Sequence, residues 1–107
     1  MKILKFTSNL AKKIISGEKT STWRLFDDKN LQKGDELILV EKETSKEFAK
    51  ATITSVRERK FEDLTEADYE GHESFESEEK MYEAYKKYYG SEVTPTSILK
   101  IIDFQLH

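Results

Sequence analysis

Gly17-Glu18-Lys19-Thr20-Ser21-Thr22-Trp23-Arg24 is the stretch on which both the fold and the chemistry turn. Between Lys19 and Arg24 it gathers an ammonium, three hydroxyls, an indole and a guanidinium. A plain half-buried strand carries apolar residues at every second position. Here Trp23 is the one large apolar residue, so core packing alone does not account for the segment. Hydroxyls beside cations suit an oxyanion, a phosphate or a polar base edge. The alternative is an edge strand with a solvated face, since threonine favours strands in any case.

On either side of this stretch the elements alternate in a readable order. Lys2–Phe6 alternates as a short strand. Ser8 or Asn9 caps a helix through Ser16, with Leu10, Ile14 and Ile15 on one face and Gly17 ending it. Lys19–Arg24 reads as a strand and Asp27–Lys33 as a polar loop. Gly34-Asp35 turns the chain into Glu36–Glu41, with Leu37, Leu39 and Val40 as inward candidates, and Thr44–Lys46 makes a hairpin turn. Phe48–Arg57 is a long strand in which Ala49, Ala51, Ile53 and Ser55 alternate with polar residues. Thr65 caps a short turn over Glu66–Tyr69. Ser77–Tyr89 is the clearest helix, striped by Met81, Tyr85 and Tyr88 or Tyr89 and ended by Gly90. Ser97–Leu106 is the last strand. Strands outnumber helices, and no crossover unit repeats. The expected fold is α+β: a small, mostly antiparallel sheet curled toward a barrel, with two or three helices outside it.

The composition narrows the function. Residues 1–107 are long enough for one domain with one modest core. Twelve aromatic residues argue against disorder. No cysteine is present, so disulfides, thiolate nucleophiles and sulfur-ligated metals are excluded. His72 and His107 are the only imidazoles, and no metal or cofactor is expected. No apolar run reaches membrane-spanning length, and the N-terminus lacks a secretory h-region, so a cytoplasmic protein is expected. Residues 1–60 hold 14 Lys/Arg against 9 Asp/Glu, whereas residues 61–107 hold 4 against 12. Either the first half builds a local basic patch or folding interleaves the two halves.

The second chemical segment is Asp68-Tyr69-Glu70-Gly71-His72-Glu73-Ser74-Phe75. Its ordinary reading is an acidic, solvated loop. The sharper one brings a carboxylate, Glu73 or Glu70, back toward Lys19 and Arg24, where it serves as a general base beside an oxyanion-stabilising cation. His72 reads as a surface histidine, with proton relay or substrate contact as the alternative. The tyrosines of the last helix read as core, with base stacking as the alternative.

These segments resemble the ASCH domain family: the G-x-K-T-x-T-x-R run from Gly17 to Arg24, then Gly34-Asp35, then Glu70-Gly71-His72-Glu73. The resemblance covers nearly the whole chain. It implies a PUA-like β-barrel, RNA-related roles and a nucleoside or RNA ligand. Small bacterial members include amidohydrolases that deacetylate N4-acetylcytidine, and their lysine, threonine and glutamate fall on Lys19, Thr22 and Glu73. The glutamate needs a one-residue shift, which leaves Glu70 in competition. Trp23 replaces an aliphatic residue of those enzymes. Trp23, Arg24, Glu70 and His72 are then candidate substrate contacts. A non-catalytic RNA- or nucleotide-binding module and a metal-independent ribonuclease are the alternatives within the family. A protein-interaction role lies outside it. Strand parity sets one condition on the triad. Lys19 and Thr22 have opposite parity, so Lys19 must precede the regular strand or a bulge must intervene.

Overall fold

The structure, a computed structural model, describes residues 1–26 and 29–107. Five strands form one mixed sheet, β1 (Lys2–Phe6), β2 (Ser21–Leu25), β3 (Glu36–Glu41), β4 (Glu47–Lys60) and β5 (Ile98–Leu106), in the spatial order β1-β3-β4-β5-β2. Among the described residues only β1 and β3 run parallel; β3–β4, β4–β5 and β5–β2 are antiparallel. Helices α1 (Ser8–Ser16) and α2 (Glu78–Tyr89) pack on opposite faces of this half-barrel, with one-turn 3-10 segments at Phe61–Asp63 and Glu66–Tyr69. The α+β, mostly antiparallel architecture is the expected one.

The local starts and stops follow simple chemistry. Thr7, rather than Ser8 or Asn9, caps α1: its side chain accepts from the Leu10 amide, and Gly17 ends the helix at φ +84°. Ser77 caps α2 and Thr65 closes a capping box with Asp68. β2 starts at Ser21, two residues later than the expected strand, so Lys19 and Thr20 form the connection from α1. β4 runs three residues beyond Arg57 because β5 pairs with it as far as Lys60↔Ile98. The expected Asp27–Lys33 loop falls partly outside the described residues.

Because strand side chains alternate, the sheet has two cores, one on each face. Leu4, Phe6, Leu37, Leu39, Ala51, Ile53, Ile102 and Phe104 fill the inner one under Ile14 of α1. Trp23, Leu25, Leu99 and Ile101 fill the outer one, covered by Met81 and Tyr85 of α2 and by Phe61. β5 supplies neighbouring isoleucines to opposite cores. β2 and β1 are the two ends of the sheet, and Arg24 reaches across between them: its Nη2 donates to Lys5 O at 3.4 Å, and its guanidinium sits 5.3 Å over the Phe6 ring.

Candidate functional site

The connection Gly17–Thr20 and the loop Thr65–Phe75 meet at the start of β2. Gly71 makes the meeting possible. Its φ of +73° lies in the left-handed region, and a Cβ there would run into Thr20 Oγ1. Glycine adopts that backbone state without penalty. In that conformation the Gly71 carbonyl accepts from both Thr20 N (2.8 Å) and Ser21 N (3.1 Å). The acidic loop is thereby joined to β2 by backbone bonds. Two residues on, Glu73 meets Lys19, with Lys19 Nζ donating to Glu73 Oε2 at 2.7 Å.

This pair is largely out of water. The Lys19 side chain is 2% exposed and that of Glu73 is 22% exposed. Burial pushes the Lys19 pKa below its usual value despite the opposing pull of Glu73, and Arg24 and Lys13 push the same way. Burial alone raises the Glu73 carboxyl, but the Lys19 ammonium outweighs it and holds the carboxylate below its usual range. Glu73 is therefore ionised near neutrality. Glu70, the competing carboxylate, is exposed.

His72 corrects the expectation of a surface residue. Its side chain is 1% exposed, and its ring stacks on Trp23 at 4.0 Å between centroids with 10° between planes. The indole offers the loop a flat apolar wall, and the imidazole covers it. Burial, then the Lys19 ammonium, push His72 down to about 4, so it is neutral at pH 7. Nδ1 lies 2.8 Å from the Glu73 carbonyl oxygen and Nε2 lies 3.5 Å from Glu73 Oε1.

Trp23 is likewise core rather than an open stacking platform. It is 3% exposed and is packed by His72, Tyr69, Tyr85 and Phe75, so no base reaches its ring in this state. Met81 and Tyr85 are core, as the helical spacing implied, Tyr89 stacks on Tyr85, and Tyr88 is exposed.

Thr22 and Arg24 share the opposite, inner face of β2, with Thr22 paired to Ile102 and 5% exposed. Among the described residues, the site's hydrogen bonds join Lys19, Glu73 and His72 and do not reach the Thr22 hydroxyl. Lys19 precedes the regular strand, which is the arrangement that strand parity demands of a Lys19–Thr22 pair. Arg24, at the far end of β2, lines an open cleft of about 220 Å³ with Leu25, Phe26 and Tyr89. Neither Lys19 nor Glu73 lines this cleft, and a larger one of about 390 Å³ lies along α2 beside Tyr82 and Val93.

A brace behind the loop escaped the sequence reading. Asp68 is 2% exposed and accepts from Arg57 Nε (3.1 Å), the Thr65 amide (3.0 Å) and Thr65 Oγ1 (3.2 Å), with Arg59 Nε at 3.5 Å. Arg57 Nη1 also donates to Asp103 Oδ2 at 3.0 Å, which receives Ser55 Oγ at 2.6 Å. Burial pushes the Asp68 carboxyl up, but the Thr65 and Arg57 hydrogen bonds outweigh it and hold it below its usual range. The signal was present as alternating Arg57 and Arg59 at the end of a strand, facing an acidic turn. Together with Lys19–Glu73, these pairs join the basic first half to the acidic second half, so folding interleaves the charges here.

Among the described residues no helix is long and apolar enough to cross a membrane, and no cluster of His, Asp or Glu has the makings of a metal site.

A family model described as ASCH domain matches residues 2–106. Among solved structures, a protein from Enterococcus faecalis V583 superposes with a TM-score of 0.82 at 17% identity, covering 98% of this chain and 78% of that one. The ASCH domain from Lactobacillus crispatus JV V101 gives 0.73 at 18% identity, with 98% and 79% covered. ASCH from Zymomonas mobilis gives 0.66 at 19% identity, with 96% and 65% covered. At such identities these likenesses speak to the fold alone. No curated protein matches the sequence.

Proposed function

The chain belongs to the ASCH domain family, with its PUA-like fold, and on that footing we propose that it is an amidohydrolase that removes the acetyl group from N4-acetylcytidine, free or within RNA. The observation that carries this reading is the dehydrated Lys19–Glu73 pair at the start of the strand that bears Thr22. The Lys19 ammonium keeps Glu73 ionised and so free to take up a proton, and in a water-poor site that ammonium stabilises an oxyanion more than it does in bulk solvent.

In this reading Thr22 Oγ attacks the acetyl carbonyl carbon and its proton passes to Glu73. The Lys19 ammonium holds the oxyanion. As the C–N bond breaks, the proton on Glu73 moves to the departing N4 and cytidine leaves, with the acetyl group as an ester on Thr22. Glu73 then deprotonates a water that attacks the ester. Acetate departs and Thr22 Oγ takes back the proton. Arg24, whose fork suits planar oxygen pairs, holds a ribose or phosphate oxygen in the adjoining open cleft.

The test is hydrolysis of N4-acetylcytidine by the purified protein beside Thr22→Val and Lys19→Ala. Cytidine release by the parent, lost in both variants, supports the reading. The closed state of the site favours one other reading, a binding module for RNA or nucleotides in which Lys19 is a structural cation. It requires binding of nucleoside or short RNA without turnover, undiminished in Thr22→Val and weakening steeply with salt.

A further inference from the structure

Two acceptors face each other in this site. The first is a nitrogen of His72, whose Nδ1 lies 2.8 Å from the Glu73 carbonyl oxygen. A carbonyl oxygen accepts and never donates, so this hydrogen bond puts the proton of the neutral imidazole on Nδ1. Nε2 is then a bare lone pair, and it faces Glu73 Oε1 at 3.5 Å. The other carboxylate oxygen is held by Lys19 at 2.7 Å, which keeps the group ionised, so Oε1 is an acceptor as well. Were His72 protonated, Nε2–H and the carboxylate would close to the spacing seen for Lys19. They stand 0.8 Å farther apart (3.5 against 2.7 Å).

From this geometry we infer that His72 Nε2 and Glu73 Oε1 form a paired-acceptor seat for a single N–H, so that the site selects secondary amides and His72 is a specificity-determining residue. The inference deepens the amidohydrolase reading and rests on it. The spacing chooses between donors. A water donating one hydrogen to each acceptor holds them about 4.4 Å apart, from two bonds of about 2.8 Å at the water angle. One N–H shared between two acceptors tolerates the shorter 3.5 Å separation. Lys19 Nζ has three donors, of which one is taken by Glu73, which leaves two to offer the carbonyl oxygen of the same amide. A secondary amide offers that combination, an N–H on one side and a C=O on the other. An N-methylated amide has the carbonyl without the donor. His72 is held for this task by the Trp23 ring at its back, a stack that an aliphatic residue at position 23 would not provide in the same form.

The test compares N4-acetylcytidine with its N4-methyl derivative, N4-acetyl-N4-methylcytidine, on the parent and on His72→Phe, which keeps a flat ring against Trp23 and removes the acceptor. Alongside it, 15N NMR of histidine-labelled, ligand-free protein reads the tautomer at pH 7. A donorless substrate leaves both acceptors buried and unpaired, so the parent should prefer the secondary amide by about 100-fold or more in kcat/KM. In His72→Phe, folded by circular dichroism, that ratio should fall at least about 10-fold. Equal use of both substrates by the parent, or an unchanged ratio in His72→Phe, overturns the seat. So does an Nε2–H tautomer or an imidazolium in the NMR spectrum, whether or not the protein turns over. An Nδ1–H tautomer with neither substrate hydrolysed or bound overturns the amidohydrolase reading, and the substrate assignment with it.

Discussion

Replacing Glu73 with alanine removes the partner of an ammonium that has almost no contact with water. Losing one member of a buried ion pair costs about 3–5 kcal/mol, because the survivor keeps its charge and loses its compensation. Glu73 is 22% exposed, so water enters the space it vacates. We therefore expect about 2–3 kcal/mol for Glu73→Ala. The reverse deletion is far milder. Lys19→Met fills the buried volume with an apolar chain and leaves a carboxylate that already touches solvent, for a cost below about 1 kcal/mol. For a domain of this size the first change lowers Tm by roughly 10 °C or more and the second by a few degrees. Urea denaturation at constant ionic strength measures both, and the double variant should be nearer to Lys19→Met than to Glu73→Ala. The sign with pH is fixed. Lys19 titrates lower folded than unfolded, so between those two pKa values the unfolded chain binds more protons and stability rises with pH. Without Glu73 the folded pKa drops further, and the deficit of Glu73→Ala should shrink as pH is raised toward 10. Equal losses in the two single variants, or a deficit that grows with pH, would refute the argument.

Other outcomes follow from the same geometry. Gly71→Ala forces a Cβ into Thr20 and a side chain into a left-handed backbone state. It should cost about 1–3 kcal/mol in urea unfolding. Amide-exchange protection at Thr20 and Ser21 should loosen with it. Asp68→Asn loses the charge-assisted bonds to Arg57. Hydrogen bonds to charged groups contribute about 1.5–3 kcal/mol, and a loss of about 2 kcal/mol is expected at pH 7. Because the folded Asp68 carboxyl sits below its unfolded value, the parent holds that advantage above pH 4 and loses it as acid reaches the folded pKa, and the gap to Asp68→Asn should close there. His72 has a folded pKa of about 4 against 6.5 unfolded. The parent's stability therefore rises with pH across that window by about 3 kcal/mol and is lost toward pH 4. His72→Phe should flatten that slope in denaturation curves taken at pH 4.5 and 7; an unchanged slope would show that another group causes it.

Much of this molecule was legible before folding, and the illegible parts share a cause. The strands with alternating apolar residues, the Gly17 stop and the Thr65 cap are local signals, and each governs a local outcome. The parallel pairing of β1 with β3 is not written within either strand, since it depends on what covers both faces. Lys19, Glu73 and Glu70 stand out as chemical residues by their neighbours in sequence. Which carboxylate meets Lys19 was undecidable, because it follows from one glycine carbonyl taking two amides from a segment far back along the chain. His72 was misread for the same reason: a polar loop predicts exposure, whereas the indole of Trp23 supplied a surface to bury it on. Asp68 and its arginines went unnoticed because an acidic turn looks the same whether solvent or Arg57 faces it.

The order in which the chain emerges during synthesis adds one last consequence. Among the described residues β2 pairs with β5 and with no other strand, with Leu25 opposite Leu99 and Ser21 opposite Asp103. A ribosome needs on the order of 4–15 s to lay down the long stretch between those partners. Once β4 has emerged, β1, β3 and β4 can pair with one another, but β4 still lacks β5 on its other edge, and Trp23 and Leu25 have no strand on either side. The segment that carries Lys19 and Thr22 is thus translated early and assembled last. A chain halted before Ile98 would display an apolar strand edge, the kind of surface that chaperones recognise, in place of a site.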